Sequence, residues 1–279
     1  MINIDYDGIR WFSVPRDSRC LPWQEHKVNG QALNPQQHGG IAVGDIDGDG
    51  DLDISRVDRW YENADGKGLT WNEHVNIDFG TVWEGGWGLS GKALIVDVDG
   101  DGANDLIQTE CDLPNGRVAW FRNVGGKGLA WERHLIKDST DNQDFHTLAV
   151  ADYDGDGDPD IVSIGGPSTP GTPKAYLWEN LDGKGGAWAE HILLEGMKGH
   201  EGVAVDLDGD GDMDVLLKPW IAGEKFYLEN LMVSPSPVIP FRPRAEAAAP
   251  QSGPAPGRKP WEWRFRYRGL DYTSGGRRP

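Results

Sequence analysis

Sulfur-containing residues are scarce in this chain of 279 residues, which has only two cysteines and four methionines. Cys20 and Cys111 are far apart and fit no metal-ligand spacing, so the sequence leaves open whether they pair. Glycine and tryptophan are abundant instead, with 39 and 13 residues. This composition favours many tight turns between aromatic-rich strands over long helices.

Basic residues are also few: the chain has 27 Lys and Arg against 45 Asp and Glu, which gives a formal net charge of -18. A nucleic acid or an anionic membrane surface requires a face rich in Lys and Arg, so neither is an expected partner. A cation is the natural counterpart. Four divalent ions would add eight positive charges and bring -18 to -10.

Long apolar runs are missing as well, so no membrane insertion is expected. The first residues, Met-Ile-Asn-Ile-Asp, do not read as a signal peptide. On this pattern the protein is either cytosolic as written or exported by a signal outside this chain.

An acidic loop, Asp-x-Asp-x-Asp-Gly-x-x-Asp, occurs four times. The four loops begin at Asp45, Asp97, Asp152 and Asp206, at intervals of 52, 55 and 54 residues. Each loop lies between an apolar run and an alternating run, which predicts two strands joined by the loop. A third predicted strand ends on Asn. In three of the units a Gly-rich turn and a Trp-x-x-His strand follow.

Four antiparallel strands per repeat of about 50 residues predict an all-β protein with the fold of a β-propeller, whose blades bury their apolar faces only against one another. Residues 1–231 represent about five blades, of which the first and last are incomplete. They form either a permuted five-bladed ring or part of a larger ring. Residues 232–279 are basic and rich in Pro, which predicts a disordered tail. Within that tail the alternating run 261–267 either docks as the missing outer strand or contacts the acidic body.

The loops are predicted to bind about four calcium ions, because alternate carboxylates and one backbone carbonyl supply the hard oxygen ligands that Ca²⁺ prefers. Oxygen-only ligands make zinc or copper an unlikely choice in these loops. The expected ligand positions, with the carbonyl at the seventh residue, are Asp45, Asp47, Asp49, Asp51 and Asp53; Asp97, Asp99, Asp101, Ala103 and Asp105; Asp152, Asp154, Asp156, Asp158 and Asp160; and Asp206, Asp208, Asp210, Asp212 and Asp214.

The acidic loops do not fit an EF-hand. That motif needs a bidentate Glu at position 12 and flanking helices, whereas position 12 is Arg56, Gln108, Ser163 or Leu217 and the flanks read as strands. A metal-free Asp-Gly turn is the plainer interpretation of any single loop, and the presence of four matched copies argues against it.

The loops, the blade length and the patterns of the third and fourth strands resemble the FG-GAP and VCBS repeats of integrin-type propellers. The resemblance covers residues 1–231, although the Phe-Gly and Gly-Ala-Pro tags of the family are absent as such. It implies a calcium-binding propeller and leaves the function open.

All seven histidines occupy repeat positions. The Trp-x-x-His set is expected to pack at blade edges, and its members are His26, His74, His134 and His191. The other three precede predicted first strands, with Trp87 in the corresponding stretch of the second unit. The candidate ligand-binding residues at one mouth of the propeller are therefore His38, Trp87, His146 and His200, unless repeat spacing alone places them there.

Two functions follow from these observations. The first is a binding module for a glycan or a surface protein, in which Trp83, Trp87 and Trp220 stack on sugar rings. The second is an enzyme that resembles propeller sugar dehydratases and polysaccharide lyases, with histidines as metal ligands or bases. The sequence favours binding over catalysis. Weak calcium sites of this open type favour an extracellular or cell-surface location.

Overall fold

A computed structural model of the chain describes residues 2–5, 8–15, 23–29, 40–80, 91–219, 225–232 and 265–270. These residues form five antiparallel sheets, which we number blades 1 to 5 in chain order. In the described part, the only helical segment is a short 3-10 turn, Ser139–Asp141. No helix there is long and apolar enough to cross a membrane.

Blades 1 to 3 contain the first eleven strands. Blade 1 has three strands: β1 (Ile2–Asp5), β2 (Gly8–Ser13) and β3 (Gln24–Asn29). Blade 2 has four strands: β4 (Ile41–Gly44), β5 (Asp53–Arg56), β6 (Arg59–Asn63) and β7 (Trp71–His74). Blade 3 also has four strands: β8 (Lys92–Val96), β9 (Asp105–Thr109), β10 (Val118–Asn123) and β11 (Trp131–Lys137).

Blades 4 and 5 each contain four strands in chain order. Blade 4 consists of β12 (Ala149–Ala151), β13 (Asp160–Ile164), β14 (Lys174–Asn180) and β15 (Trp188–Glu195). Blade 5 consists of β16 (Glu201–Val205), β17 (Asp214–Lys218), β18 (Lys225–Asn230) and β19 (Phe265–Leu270). The repeat boundaries and strand order predicted from the acidic loops are confirmed.

The last strand comes from the predicted disordered tail. Strand β19 pairs with β18 along its whole length, from Lys225 opposite Leu270 to Asn230 opposite Phe265. The propeller therefore extends beyond residue 231, and the alternating run at 261–267 contributes the outer strand of blade 5. The other residues of the tail lie outside the described residues.

First strands of neighbouring blades lie against each other at the centre, as β4 does with β8 and β12 with β16. Glycine permits this approach, because a Cβ on Gly44 would lie 2.7 Å from Cγ2 of Ile95. The apolar core lies between successive blades. Trp60 and Ala42 of blade 2 pack with Leu106 and Phe121 of blade 3 in one cluster. These blades and their contacts make the chain a β-propeller.

Candidate calcium loops and the opposite mouth

Each acidic loop joins the first strand of a blade to the second, and backbone N–H groups orient its carboxylates. In the first loop, Oδ1 of Asp45 accepts hydrogen bonds from the N–H of Gly48 at 2.7 Å and of Asp49 at 3.2 Å, while Oδ2 accepts one from Gly50 at 3.1 Å. Asp47 accepts from the residue two positions ahead. The first Asp of the other three loops likewise accepts from the glycines three and five positions ahead.

Glycine is required at the fourth and sixth loop positions. Gly48 and Gly50 have φ angles of 70° and 96°, and the matching glycines of the other loops are also in the left-handed region. A side chain there would strain the backbone, so the loop conformation is set by the sequence.

The ninth Asp of each loop is buried and ties the loop to its blade. The carboxylate of Asp53 accepts hydrogen bonds from Ile46 N at 2.8 Å and from Asn63 N at 2.9 Å. Its counterparts make the same two bonds to backbone N–H groups, and they are Asp105, Asp160 and Asp214. Both oxygens of this residue therefore have a structural role.

The asparagine that ends the third strand of blades 3, 4 and 5 connects that blade to the loop of the preceding blade. The side-chain amide of Asn123 in blade 3 donates to the carbonyl of Ile46 in the first loop at 2.7 Å. Asn180 and Asn230 donate in the same way to Val98 and Tyr153. The acidic loops thus lie at blade interfaces, where they are positioned to stabilise the ring.

The carboxylates of the loops fit a hard cation. Oxygens of three Asp residues in each loop lie within 4.8 Å of one another; the groups are Asp45, Asp47 and Asp53; Asp97, Asp99 and Asp101; Asp152, Asp154 and Asp160; and Asp206, Asp208 and Asp210. In addition, Oδ1 of Asp51 and of Asp158 is buried with no hydrogen-bond partner. Crowded carboxylates with unsatisfied oxygens are the donor set that Ca²⁺ uses.

Burial and mutual repulsion disfavour ionisation of these carboxyl groups. Burial, with a smaller contribution from neighbouring loop carboxylates, raises the pKa of Asp160 to about 8 and that of Asp53 to about 6. Burial and then the charge of Asp156 raise the pKa of Asp154 to about 7. A bound cation would relieve this repulsion.

The second loop differs from the others because a guanidinium group lies against its carboxylates. Nε of Arg122 donates to Oδ2 of Asp99 at 2.5 Å, and Nη2 donates to Oδ2 of Asp101 at 3.1 Å. The residue at this position of the third strand is Glu in the blades of the other loops, at Glu62, Glu179 and Glu229. The second loop also has Ala103 at the seventh position, where the others have Asp.

A second group of polar side chains lies at the other end of the central strands. Within each blade, the residues before the first strand and after the second strand lie at the end opposite the acidic loop. We call this end of the propeller the mouth. We define the mouth cluster as Cys111 and Asp112, which follow β9, Asp144 and His146, which precede β12, and His200, which precedes β16. Blades 3, 4 and 5 all contribute to it.

Two of the four predicted ligand-binding residues meet in this cluster. The imidazole rings of His146 and His200 stack with their centroids 4.1 Å apart. Nε2 of His146 lies 3.4 Å from Oδ1 of Asp112, whereas its Nδ1 is buried without a hydrogen-bond partner. The other two, His38 and Trp87, lie outside the described residues, as do Trp83, Trp220 and Cys20.

The two histidines have opposite electrostatic environments. Burial opposes protonation of His146, but the hydrogen bond to Asp112 and the charges of Asp144 and Asp112 outweigh it, so the pKa of His146 is raised. Burial and the neighbouring His146 lower the pKa of His200 to about 4.

Cys111 and Asp144 were not predicted from the sequence. Asp144 is two residues from His146, and hydrogen bonds between blades bring Cys111 to the same place. The hydroxyl of Thr109 donates to the carbonyl of Phe145 at 2.7 Å, and Phe145 N donates to the carbonyl of Glu110 at 3.1 Å. The chain before Cys111 therefore runs beside the chain before His146. The sequence offered one signal for this proximity. The segment of Cys111 follows the second strand of its blade and the segment of His146 precedes the first strand of the next, so both were expected at the mouth.

An ion pair also connects blades at the mouth. Nζ of Lys92 in β8 lies 2.7 Å from Oε2 of Glu201 in β16, and Oε1 of Glu201 lies 3.0 Å from Nδ1 of His200. Blades 3 and 5 therefore approach each other here, and the mouth is lined by groups of both charges.

A comparison with known protein families agrees with the loop geometry. Residues 97–163 and 152–217 match the family described as FG-GAP-like repeat. Each matched range begins at one acidic loop and ends in the strand that follows the next acidic loop. Residues 97–217 therefore carry FG-GAP-like repeats. No curated protein matches the chain. A solved structure titled "Structure of Dos1 propeller" is similar with a TM-score of 0.42 and 11% identity, over 73% of this chain and 46% of that chain. The chain thus covers less than half of that protein's length.

The remaining histidines that the structure describes have the expected packing roles. His26, His74 and His134 stack on tryptophan rings of their own blades, at centroid distances of 3.9, 4.4 and 4.5 Å. His74 and His191 each lie 2.8 Å from a glutamate of the adjacent strand. These contacts repeat from blade to blade and are structural.

Proposed function

We propose that the chain is a calcium-stabilised propeller module that binds a carbohydrate at the mouth. The observation that carries the proposal is the mouth cluster, in which polar groups from three blades converge and only the two histidines occupy equivalent repeat positions. A propeller needs no such cluster for packing, because its apolar contacts lie between the blades.

Calcium is assigned to the first, third and fourth acidic loops. When bound, the ion supplies positive charge that neutralises the crowded carboxylates and holds each loop in its folded conformation. Arg122 supplies the positive charge in the second loop. The expected number of ions is therefore three, instead of the four that the repeated motif alone indicates.

A carbohydrate suits the mouth better than a flat protein surface. The described groups include hydrogen-bond donors and acceptors of both charges, namely Lys92, Glu201, Asp112 and His200. Trp83 and Trp87 shortly precede β8 in sequence, and Trp220 shortly follows β17. Polar groups beside aromatic rings are the usual lining of sites for sugars.

An extracellular location follows from the same proposal. Open loops of this type in extracellular modules bind Ca²⁺ with Kd of about 10⁻⁴ to 10⁻³ M. Such sites are filled outside the cell and remain largely empty at cytosolic calcium levels.

The test is a glycan array followed by calorimetry, with calcium at saturating concentration. We expect a glycan ligand whose binding is lost in His146→Ala and in His200→Ala. His191→Ala removes a histidine of the outer strand and serves as the matched control. If no glycan binds but a cell-surface protein is retained with the same dependence on His146, the carbohydrate assignment is wrong and the ligand is a protein.

A second candidate function is a sugar dehydratase or polysaccharide lyase, which the proximity of His146, His200 and Asp112 favours. Imidazole and carboxylate groups in contact can transfer protons to and from a bound sugar. Incubation with oligosaccharides containing uronic acids tests this function. An unsaturated product that is absent with His146→Ala would make the protein an enzyme.

A further inference from the structure

We propose that Cys111, Asp144 and His146 form a binding site at the mouth for one ion of zinc or a related divalent transition metal. This inference goes beyond the proposed function, since it requires neither calcium in the acidic loops nor a bound carbohydrate.

The three side chains present their ligand atoms to one point. Sγ of Cys111, a carboxylate oxygen of Asp144 and a ring nitrogen of His146 all lie within 4.8 Å of one another. All three residues are buried, with exposed fractions of 6%, 0% and 8%. A small shift of the side chains would bring these atoms to the distances of metal ligands, which are about 2.0–2.3 Å from zinc.

Unsatisfied bonding capacity at the same place is a second, independent observation. Nδ1 of His146 is buried and has no hydrogen-bond partner. A buried polar atom without a partner is costly, and a metal ion would satisfy it.

The carboxylate of Asp144 is held in position by the backbone. Its Oδ1 accepts from Asp112 N and its Oδ2 from Ser168 N, both at 2.7 Å. Each oxygen retains a lone pair for a metal. Metal-binding carboxylates are commonly oriented by hydrogen bonds of this kind.

The backbone also fixes the positions of the other two ligands. A Cβ added to Gly91 would clash with Sγ of Cys111, and a Cβ added to Gly166 would clash with Cβ of His146 at 2.5 Å. Cys111 and His146 are therefore packed against bare backbone, which leaves little freedom for either side chain to turn away.

The donor set selects the metal. Thiolate, imidazole and carboxylate together are the ligands of zinc and related ions, whereas the acidic loops offer only oxygen. Three protein ligands leave a coordination position for a water or a substrate group. Cys111 is a free cysteine and is buried, which makes it a poor nucleophile toward external reagents.

The experiment is a titration of the full chain with Zn²⁺ and with Co²⁺, in the presence of saturating Ca²⁺ to occupy the acidic loops. We expect one Zn²⁺ per chain, and a thiolate-to-cobalt charge-transfer band in the near ultraviolet. Cys111→Ser should abolish the band. Cys111→Ser and His146→Ala should each weaken zinc binding by more than the about 10- to 100-fold typical for loss of an outer-shell partner.

Two control variants match these changes. Cys20→Ser removes the other thiol of the chain, and His191→Ala removes a histidine of the outer strand; both should retain the band and the affinity. Circular dichroism and thermal melting in Ca²⁺ establish that each variant is folded.

X-ray absorption of the zinc-loaded wild type decides the question even if Cys111→Ser does not fold. One sulfur neighbour at about 2.3 Å supports the site. A shell of oxygen and nitrogen alone, or zinc binding that is unchanged in both variants, overturns it. Calcium-dependent melting and glycan binding are separate measurements, so failure of the zinc site is distinguishable from failure of the proposed function.

Discussion

The two ends of the central strands differ in whether their contacts recur from blade to blade. At one end the acidic loops repeat the same hydrogen bonds from blade to blade, as Asp53 and Asp160 show. At the other end Cys111 joins His146 and His200 from two further blades, and only the two histidines occupy equivalent repeat positions. A contact that recurs in every blade serves the ring, whereas a cluster that occurs once is where a specific ligand would bind. Stability and recognition should therefore be separable by mutation.

Removal of calcium is expected to have the largest effect on stability. Three sites with Kd of about 10⁻⁴ to 10⁻³ M, at a few millimolar Ca²⁺, would contribute about 2–5 kcal/mol in total. Excess chelator should lower Tm, and added Ca²⁺ should restore it. Differential scanning calorimetry measures the change. A Tm that is the same with and without chelator would count against calcium in the loops.

Asp160→Ala should destabilise the propeller by about 2–4 kcal/mol. The substitution leaves the N–H groups of Tyr153 and Asn180 buried without an acceptor. Asp182→Ala is the matched control, because Asp182 also accepts two backbone N–H bonds but is exposed to water. Urea denaturation should show a much smaller loss for the control. Equal losses would mean that burial of the ninth Asp is not what matters.

Arg122→Glu should convert the second loop into a calcium site. The substitution removes the guanidinium from Asp99 and Asp101 and restores the residue type found in the blades of the other loops. Equilibrium dialysis should show four ions per chain in place of three, and the calcium-dependent shift in Tm should grow by about one third.

The control for this change is Ala103→Asp, which adds the seventh aspartate but keeps Arg122. It should still bind three ions. Four ions in the wild type would contradict the assignment of Arg122 as the group that replaces the cation.

His146→Ala should have the smallest effect on stability, about 1 kcal/mol or less, because the side chain lies at the mouth and outside the clusters between blades. Ligand binding at the mouth should nevertheless be lost. Tm and calorimetric titration on the same sample measure both quantities. A large fall in Tm together with unchanged ligand binding would reverse the assignment of the two ends.

Most of the fold was predictable because the repeat depends on residues that are close together in the chain. Left-handed glycines at positions such as Gly48 and Gly50 and the acidic residues between them define each loop without help from the rest of the chain. The exception is β19, whose place beside β18 depends on an unfilled sheet edge about 35 residues away along the chain. Alternation at 261–267 indicated a strand but could not show its partner.

The sequence by itself determined the strands, the acidic loops and the number of blades represented, since these depend on spacing and on residues close together in the chain. Only the tertiary structure placed Arg122 on the second loop, through a strand that returns beside it. Only the tertiary structure brought Cys111 to Asp144 and His146, because the ends of strands in different blades meet at the mouth. Contacts between distant segments depend on how the blades pack, and no local pattern encodes them.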